Sequence, residues 1–256
     1  MTAIIDKHRV ARRFLKSQST YDQHAIIQRA MAEGLIASLR ANGPRGFGRV
    51  LELGCGTGQL TRKLLAHYRT ESLYLNDLSP DLTRTTAAMA AALGARRVNQ
   101  CPGDMESLDP LPRDLHLVLS GAAFQWLEDC AGFLRRTGTC LRPGGFLAFT
   151  TFGPDNCREI RAVTGHGLSY PALHQLRCFL DRDFQILVAR QSLVTLHFDT
   201  PLAVLRHLKQ TGVNSLATAR WTPGDLHRFC DAYPAGGGGG QVPLTYHPVR
   251  VVARKR

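Results

Sequence analysis

Apolar residues recur at helical spacing through the first forty positions: Val10 and Phe14, then Ile27, Met31, Leu35 and Leu39. That rhythm predicts helix over 7–40, with the Gln18–Tyr21 stretch as the place where it divides in two. NGPRG at 42–46 reads as a loop. Strands and helices then alternate. VLELG (50–54) is a short apolar strand, QLTRKLLAHY (59–68) a helix and SLYLND (72–77) a strand. SPDLTRTTAAMAAALG (79–94) opens on a serine cap and a proline and stops at a glycine, the punctuation of a helix. RVNQCPGD (97–104) holds a short strand and LHLVLSG (115–121) a stronger one. A helix around 129–141 leads through RPGG into the strand FLAFTTF (146–152). Repeated strand–helix alternation predicts an α/β fold, doubly wound on a mostly parallel sheet.

After residue 152 the alternation loosens. Residues 155–182 read as helix and loop, VARQSLVTLHF (188–198) as a strand, and 201–234 as helical with a loop near 212–219. AGGGGG (235–240) is a flexible turn, and LTYHPVRVVAR (244–254) closes the chain as a strand. The helical insertions at about 153–183 and 200–234 have no place inside a sheet. They are expected as a lid over its C-terminal edge, where open α/β sheets bind ligands. Residues 1–41 then form an N-terminal helical segment closing the site, and 42–256 the domain that carries the lid.

The 256 residues suit one domain with a sizeable core. No apolar run approaches the roughly 18–20 residues of a membrane span. The basic N-terminus lacks the apolar stretch of a secretory signal. Seven cysteines, Cys55, Cys101, Cys130, Cys140, Cys157, Cys178 and Cys230, are scattered without a CxxC pair. They read as reduced thiols of a cytoplasmic protein. Ten histidines form no HExxH or Cys/His cluster, so no metal is expected. A formal net charge of +12 points to a polyanionic partner, nucleic acid or an acidic protein.

VLELGCGTGQL (50–60) carries the chemistry. Gly54, Gly56 and Gly58 follow a G-x-G-x-G spacing, whereas a dinucleotide loop needs G-x-G-x-x-G. Glu52 at the mouth of the loop would repel a phosphate and suits a cationic ligand. S-adenosylmethionine has an ammonium, a sulfonium and no phosphate, and its carboxylate can use the N–H groups at a helix start. Asp77 ends the second strand, where an acidic residue binds two ribose hydroxyls. In GDMESL (103–108), Asp104 can accept from the adenine amine while Met105 packs on the ring. Leu78 and Ser120, beside the ends of the second and fourth strands, complete the expected cofactor-binding set. These motifs, in this order, resemble the class I S-adenosylmethionine-dependent methyltransferases over about residues 48–152. The resemblance implies their seven-stranded sheet, here with N-terminal helices and a helical lid.

The acceptor is read from the flanks. The D/N/S-P-P-Y/F/W motif common among base- and amide-directed N-methyltransferases is absent after the fourth strand. RRFLKSQSTYDQHAIIQ (12–28), AFQW (123–126), AFTTFGPD (148–155), LRHLKQTGVN (205–214) and PLTYHP (243–248) together resemble one family, the malonyl-acyl-carrier-protein O-methyltransferases of biotin biosynthesis. The likeness runs from about residue 7 to 254; the Gly236–Gly240 run and the RKR tail depart from it. It implies methylation of the free carboxylate of a malonyl thioester on acyl carrier protein, with neither nucleic acid nor membrane as partner. Methyltransferases acting on a free small carboxylic acid or on RNA are the competing readings. A carboxylate acceptor is ionised at neutral pH and needs no general base. What it needs is in-line placement, exclusion of water and a clamp on one oxygen. Arg161 is the first expected clamp and Lys209 the second. Tyr21 and His24 are placed to close the pocket from above, and Gln125 and Trp126 beside the methyl group. Tyr246 either hydrogen-bonds substrate or caps the sheet. Arg9, Arg12, Arg13, Lys16, Arg206 and Lys209 are expected to form a docking face for the acidic carrier.

Overall fold

The structure, a computed structural model, describes residues 6–212, 221–236 and 240–256. Helix α1 (Lys7–His24) begins at Asp6, whose carboxylate accepts a hydrogen bond from Arg9 N. It ends at Ala25, where φ −79° and ψ 52° leave the helical region, and α2 (Ile26–Asn42) follows at once. The division therefore falls at Ala25 and not in Gln18–Tyr21. The polar stretch stays helical: Tyr21 and Phe14 pack edge to face along α1, ring centroids 4.7 Å apart, and the packing of α1 on the helix Pro201–Gln210 overrides weak propensity.

Then come β1 (Arg49–Leu53), α3 (Gln59–His67), β2 (Ser72–Asp77), α4 (Pro80–Ala92), β3 (Val98–Pro102), β4 (Leu115–Gly121), α5 (Cys130–Cys140) and β5 (Leu141–Phe152). The second half holds α6 (Arg158–Thr164), α7 (Leu173–Asp181), β6 (Phe184–Gln191), β7 (Val194–Phe198), α8 (Pro201–Gln210), α9 (Pro223–Ala232), β8 (Val242–Tyr246) and β9 (Pro248–Lys255). Seven strands form one sheet in the order β3-β2-β1-β4-β5-β9-β6. β1 to β5 are parallel, and β9 runs antiparallel to both its neighbours. The strand order reverses between β1 and β4, which opens a crevice at their carboxyl ends.

Two segments that read as single strands are each two. The 188–198 run breaks after Gln191: β6 stays in the large sheet and β7 pairs with β8. The 244–254 run breaks at His247, whose N–H donates to Asn156 Oδ1 while its carbonyl accepts from Gly153 N. Both halves of each run are apolar, so periodicity does not register a chain that changes sheets.

Leu51, Leu53, Leu147, Phe149 and Val251 fill one face of the sheet against α5 and α7. Val50, Leu75, Leu119, Ala148 and Val252 fill the other against α2, α3 and α4. Leu176 and Leu180 are fully buried in the first of these, so α7 covers the sheet although its sequence lies in the expected lid. A third core joins Ile160 of α6, Val204 and Leu208 of α8, Phe229 of α9 and Tyr246 of β8 to Ile27 and Met31 of α2.

Glu159 ties α6 to β8. Its buried carboxylate accepts from Thr245 N at 2.9 Å and from the Thr245 hydroxyl. Glu159→Ala leaves a buried N–H unpaired, an expected loss of about 1–3 kcal/mol. Urea unfolding should show a lowered midpoint, partly restored in Glu159→Gln; an unchanged midpoint would deny the tie a role in stability.

Candidate active site

The loop after β1 turns three times through left-handed backbone, at Gly54 (φ 69°), Gly56 (φ 51°) and Gly58 (φ 81°). A Cβ on Gly54 would stand 2.5 Å from Ala123 Cβ, and one on Gly58 would overlap the Met89 methyl. The loop thus threads between the β4 end and α4, and the Phe14 ring of α1 lies over Gly56. Gly58 caps the start of α3.

Parallel register sets the carboxylates around this loop. Asp77 accepts from Gly56 N at 2.9 Å through Oδ2 and from Ser79 N at 3.0 Å through Oδ1. Asn76 donates to the carbonyls of Cys101 and Gly103, which fixes the 103–106 loop beside it. Glu52 is 1% exposed and accepts from Thr61 Oγ1 at 2.7 Å. Burial pushes its pKa up to about 8; the Thr61 hydrogen bond opposes the shift and the Asp77 charge adds to it. Burial also raises the pKa of Asp77, against the backbone N–H groups that favour its charge.

One cavity collects Glu52, Gly54, Gly56, Asp77 and Leu78 on one side and Asp104 and Met105 on another. Tyr21, Gln125 and Trp126 line it as well. The other expected site residues are outside its wall. Gly58 sits at the helix cap. Ser120 is fully buried and its hydroxyl donates to Leu53 O, joining β4 to β1. Tyr246 is fully buried in the lid core, its hydroxyl 2.9 Å from His207 Nε2. Arg161 is exposed and its guanidinium donates to Pro154 O at 2.7 Å, so it does not stand as a clamp in the cavity. Lys209 is exposed on α8 and does not reach the wall either, nor does His24 at the end of α1. Val213 and Asn214 of the LKQTGVN stretch, most of the 212–219 loop and residues 237–239 of the glycine run lie outside the described residues.

Lys7, Gln28, Thr57, Gln59 and Thr211 also line the cavity and were not singled out from the sequence. Lys7 Nζ lies 2.7 Å from Asp104 Oδ2 and also bonds Glu106. At the other end of α1, Asp22 accepts from Thr57 Oγ1 at 2.7 Å and Gln59 Nε2 at 3.0 Å. The helix is thereby fastened at both ends across the cavity, to the loops after β3 and β1. The sequence carries a signal for this: Lys7, Val10, Ala11, Phe14 and Tyr21 fall on one helical stripe, a lysine in an otherwise apolar face. Among the described residues, no group of three or more His, Cys, Asp or Glu is placed to hold a metal ion. No described helix is long and apolar enough to cross a membrane.

Sheet order, glycine loop and strand-end carboxylates together define a class I methyltransferase fold. A methyltransferase-domain family model matches residues 50–145. N-methyltransferase NodS from Bradyrhizobium japonicum, solved with S-adenosyl-L-homocysteine, superposes with a TM-score of 0.56 at 14% identity, over 92% of this chain and 98% of its own. Malonyl-acyl-carrier-protein O-methyltransferase of Bacteroides thetaiotaomicron is 38% identical over 98% of this chain and 99% of its own. The enzyme of the same name from Bacteroides fragilis is 37% identical over 96% of this chain, which spans about half the length of that relative (50%). The chain belongs to the malonyl-acyl-carrier-protein O-methyltransferase family. Its cofactor class is S-adenosylmethionine. The cavity fits that cofactor: three carboxylates suit a cationic ligand that has no phosphate, and a side chain at Gly54 would crowd Ala123 and Met105 in its wall.

An acid whose pKa is raised by folding stabilises the fold fully below its unfolded pKa and loses that contribution as pH climbs through the folded value. For Glu52 the window runs from about pH 4.5 to about pH 8. Ligand-free Glu52→Gln is expected to gain on the wild type across it, by up to about 4 kcal/mol at pH 8. Urea unfolding at pH 5, 6.5 and 8 measures the difference. A variant equally destabilised at all three would make Glu52 an ionised partner in the fold.

Proposed function

We propose that this chain transfers a methyl group from S-adenosylmethionine to the free carboxylate of a malonyl thioester carried on acyl carrier protein, forming the methyl ester. The full-length likeness to the Bacteroides thetaiotaomicron enzyme carries the reading. The bound cofactor supplies an electrophilic methyl group on a sulfonium. To hold it, Glu52 would offer negative charge at the loop mouth, Asp77 a carboxylate for the ribose hydroxyls and Asp104 an acceptor for the adenine amine. Gly54 and Gly56 let the backbone come close, and Met105 and Leu78 supply apolar walls for a flat ring.

The acceptor carboxylate is already ionised, so the protein positions it rather than deprotonating it. With Arg161 and Lys209 off the wall, hydrogen-bond donors take the clamp's place. Burial raises the Tyr21 pKa, which keeps the phenol protonated and able to donate. Gln125 and Trp126 bound the same space. α1, as the N-terminal segment closing the site, excludes water and removes competing hydration of the nucleophile. Exposed Arg12 and Lys16 on α1 and Arg206 and Lys209 on α8 belong to helices packed against each other. With Arg9 and Arg13 they make a basic face for an acidic carrier, acting chiefly on association rate.

Methyl transfer to malonyl-, succinyl- and acetyl-carrier protein, with free small acids and RNA as controls, tests the reading. Malonyl carrier is expected to be methylated and acetyl carrier to be inert, for lack of a nucleophile. Tyr21→Phe should lower kcat/KM on malonyl carrier by about 10- to 100-fold, the loss of a hydrogen bond to a charged group. Asp77→Ala should weaken cofactor binding by about 1.5–3 kcal/mol in calorimetry. Methylation of RNA or free acids with malonyl carrier left untouched would overturn the assignment.

A further inference from the structure

Away from the cavity the fold leaves one pair of charges unanswered. Arg190, near the end of β6, and Arg250, near the start of β9, are direct partners in the antiparallel ladder. Side chains directly opposite each other share a face of the sheet and stand close, and like charges so placed repel. Neither guanidinium forms an ion pair or a side-chain hydrogen bond with any described residue. Arg250 Nε is buried without an acceptor. Burial and the Arg190 charge both lower the Arg250 pKa, and no carboxylate acts against them.

The recess is cleared for this guanidinium. Arg250 lies against α2 at Gly34, where a Cβ would overlap Nη1. A glycine in a helix interior is costly relative to alanine, and here it leaves the room an arginine fills. Like charges and a mid-helix glycine thus meet at one spot, the glycine letting the Arg250 guanidinium lie beside Arg190. A bound oxyanion answers the like charges.

Arg190 is exposed and Arg250 half-buried, so one fork stands at the rim and the other at the floor. A small tetrahedral anion can enter and bridge both forks, which are matched to phosphate oxygens. We propose that Arg190 and Arg250, with space cleared by Gly34, form a seat for a phosphate group. Two intervening residues link Arg250 to the methyl-transfer cavity. Arg250 pairs across the ladder with Thr150, whose hydroxyl accepts from Ala122 N at 3.0 Å, and Ala122 lines the cavity wall. The phosphate is either free or borne on the arm that carries a thioester.

Inorganic phosphate titrated into the full-length protein, at constant ionic strength against chloride, tests the seat by thermal unfolding. The wild type is expected to show a saturable rise in Tm. Arg250→Gln and Arg190→Gln should each weaken phosphate at least tenfold. Gly34→Ala should do so too, by pushing the guanidinium aside, while α2 itself gains helix propensity. Arg182→Gln, an exposed arginine before β6, should respond as the wild type does. If Arg250→Gln fails to fold, Arg190→Gln and Gly34→Ala decide the matter. Equal responses in Arg190→Gln, Gly34→Ala and Arg182→Gln would mean that general positive charge holds the phosphate, and would overturn the proposal. These binding measurements stand whatever reaction the enzyme performs. KM for one thioester on a phosphate-bearing arm and on a short arm without phosphate separates the sources. A rise in Arg190→Gln confined to the first supports an arm-borne phosphate. Unchanged KM values together with lost phosphate binding support a free one.

Discussion

Three carboxylates share one cavity because three parallel strands end beside it. Glu52, Asp77 and Asp104 stand at or just beyond the carboxyl ends of β1, β2 and β3, and register alone brings them together. Withdrawing carboxylates from water is costly, and like charges in a cleft raise one another's pKa. The surroundings are organised around that constraint. Thr61 donates to Glu52, the Gly56 and Ser79 amides hold Asp77, and Lys7 reaches from α1 to Asp104. The left-handed glycines let the loop pass close to Ala123, Phe14 and Met89 while the Gly56 amide reaches Asp77.

The same constraint links α1 to the site. Lys7 neutralises the outer carboxylate from one end of α1, while Asp22 at the other end accepts from Thr57 and Gln59 in the glycine loop and the helix it starts. Polar contacts to loops thus hold α1 at both ends, with Phe14 and Tyr21 along the cavity between them. On the proposed reading, a cationic cofactor entering beneath it supplies the charge that the free protein lacks at Glu52.

Much of this was legible in the sequence, for identifiable reasons. β1, β2 and β4 are short apolar runs, and the ends of β1 and β2 mark where loops face the crevice, so Glu52, Gly54, Gly56 and Asp77 could be named from spacing, and Asp104 from its place in the GDMESL loop. The sheet changes at Ser192 and His247 were not legible, since the apolar pattern runs on through both breaks. Arg161 and Lys209 were chosen for their charge, but charge does not say which way a helix turns, and both face solvent. Tyr246 reads from the sequence as part of one closing strand, but that run breaks just after it, and its hydroxyl meets His207 in the third core rather than the cavity. Lys7 has no role in the sequence reading. Its place on the stripe with Phe14 and Tyr21 was the clue to a role inside.

The central claim is that the cavity is an anionic seat whose buried carboxyl ionises when a cation binds. Calorimetric titration with S-adenosylmethionine at pH 6.5, in two buffers of different ionisation enthalpy, counts the protons exchanged. With Glu52 raised to about 8 in the free protein, the wild type should release about one proton on binding, and Glu52→Gln close to none. Binding heats that do not depend on the buffer in the wild type would contradict the account.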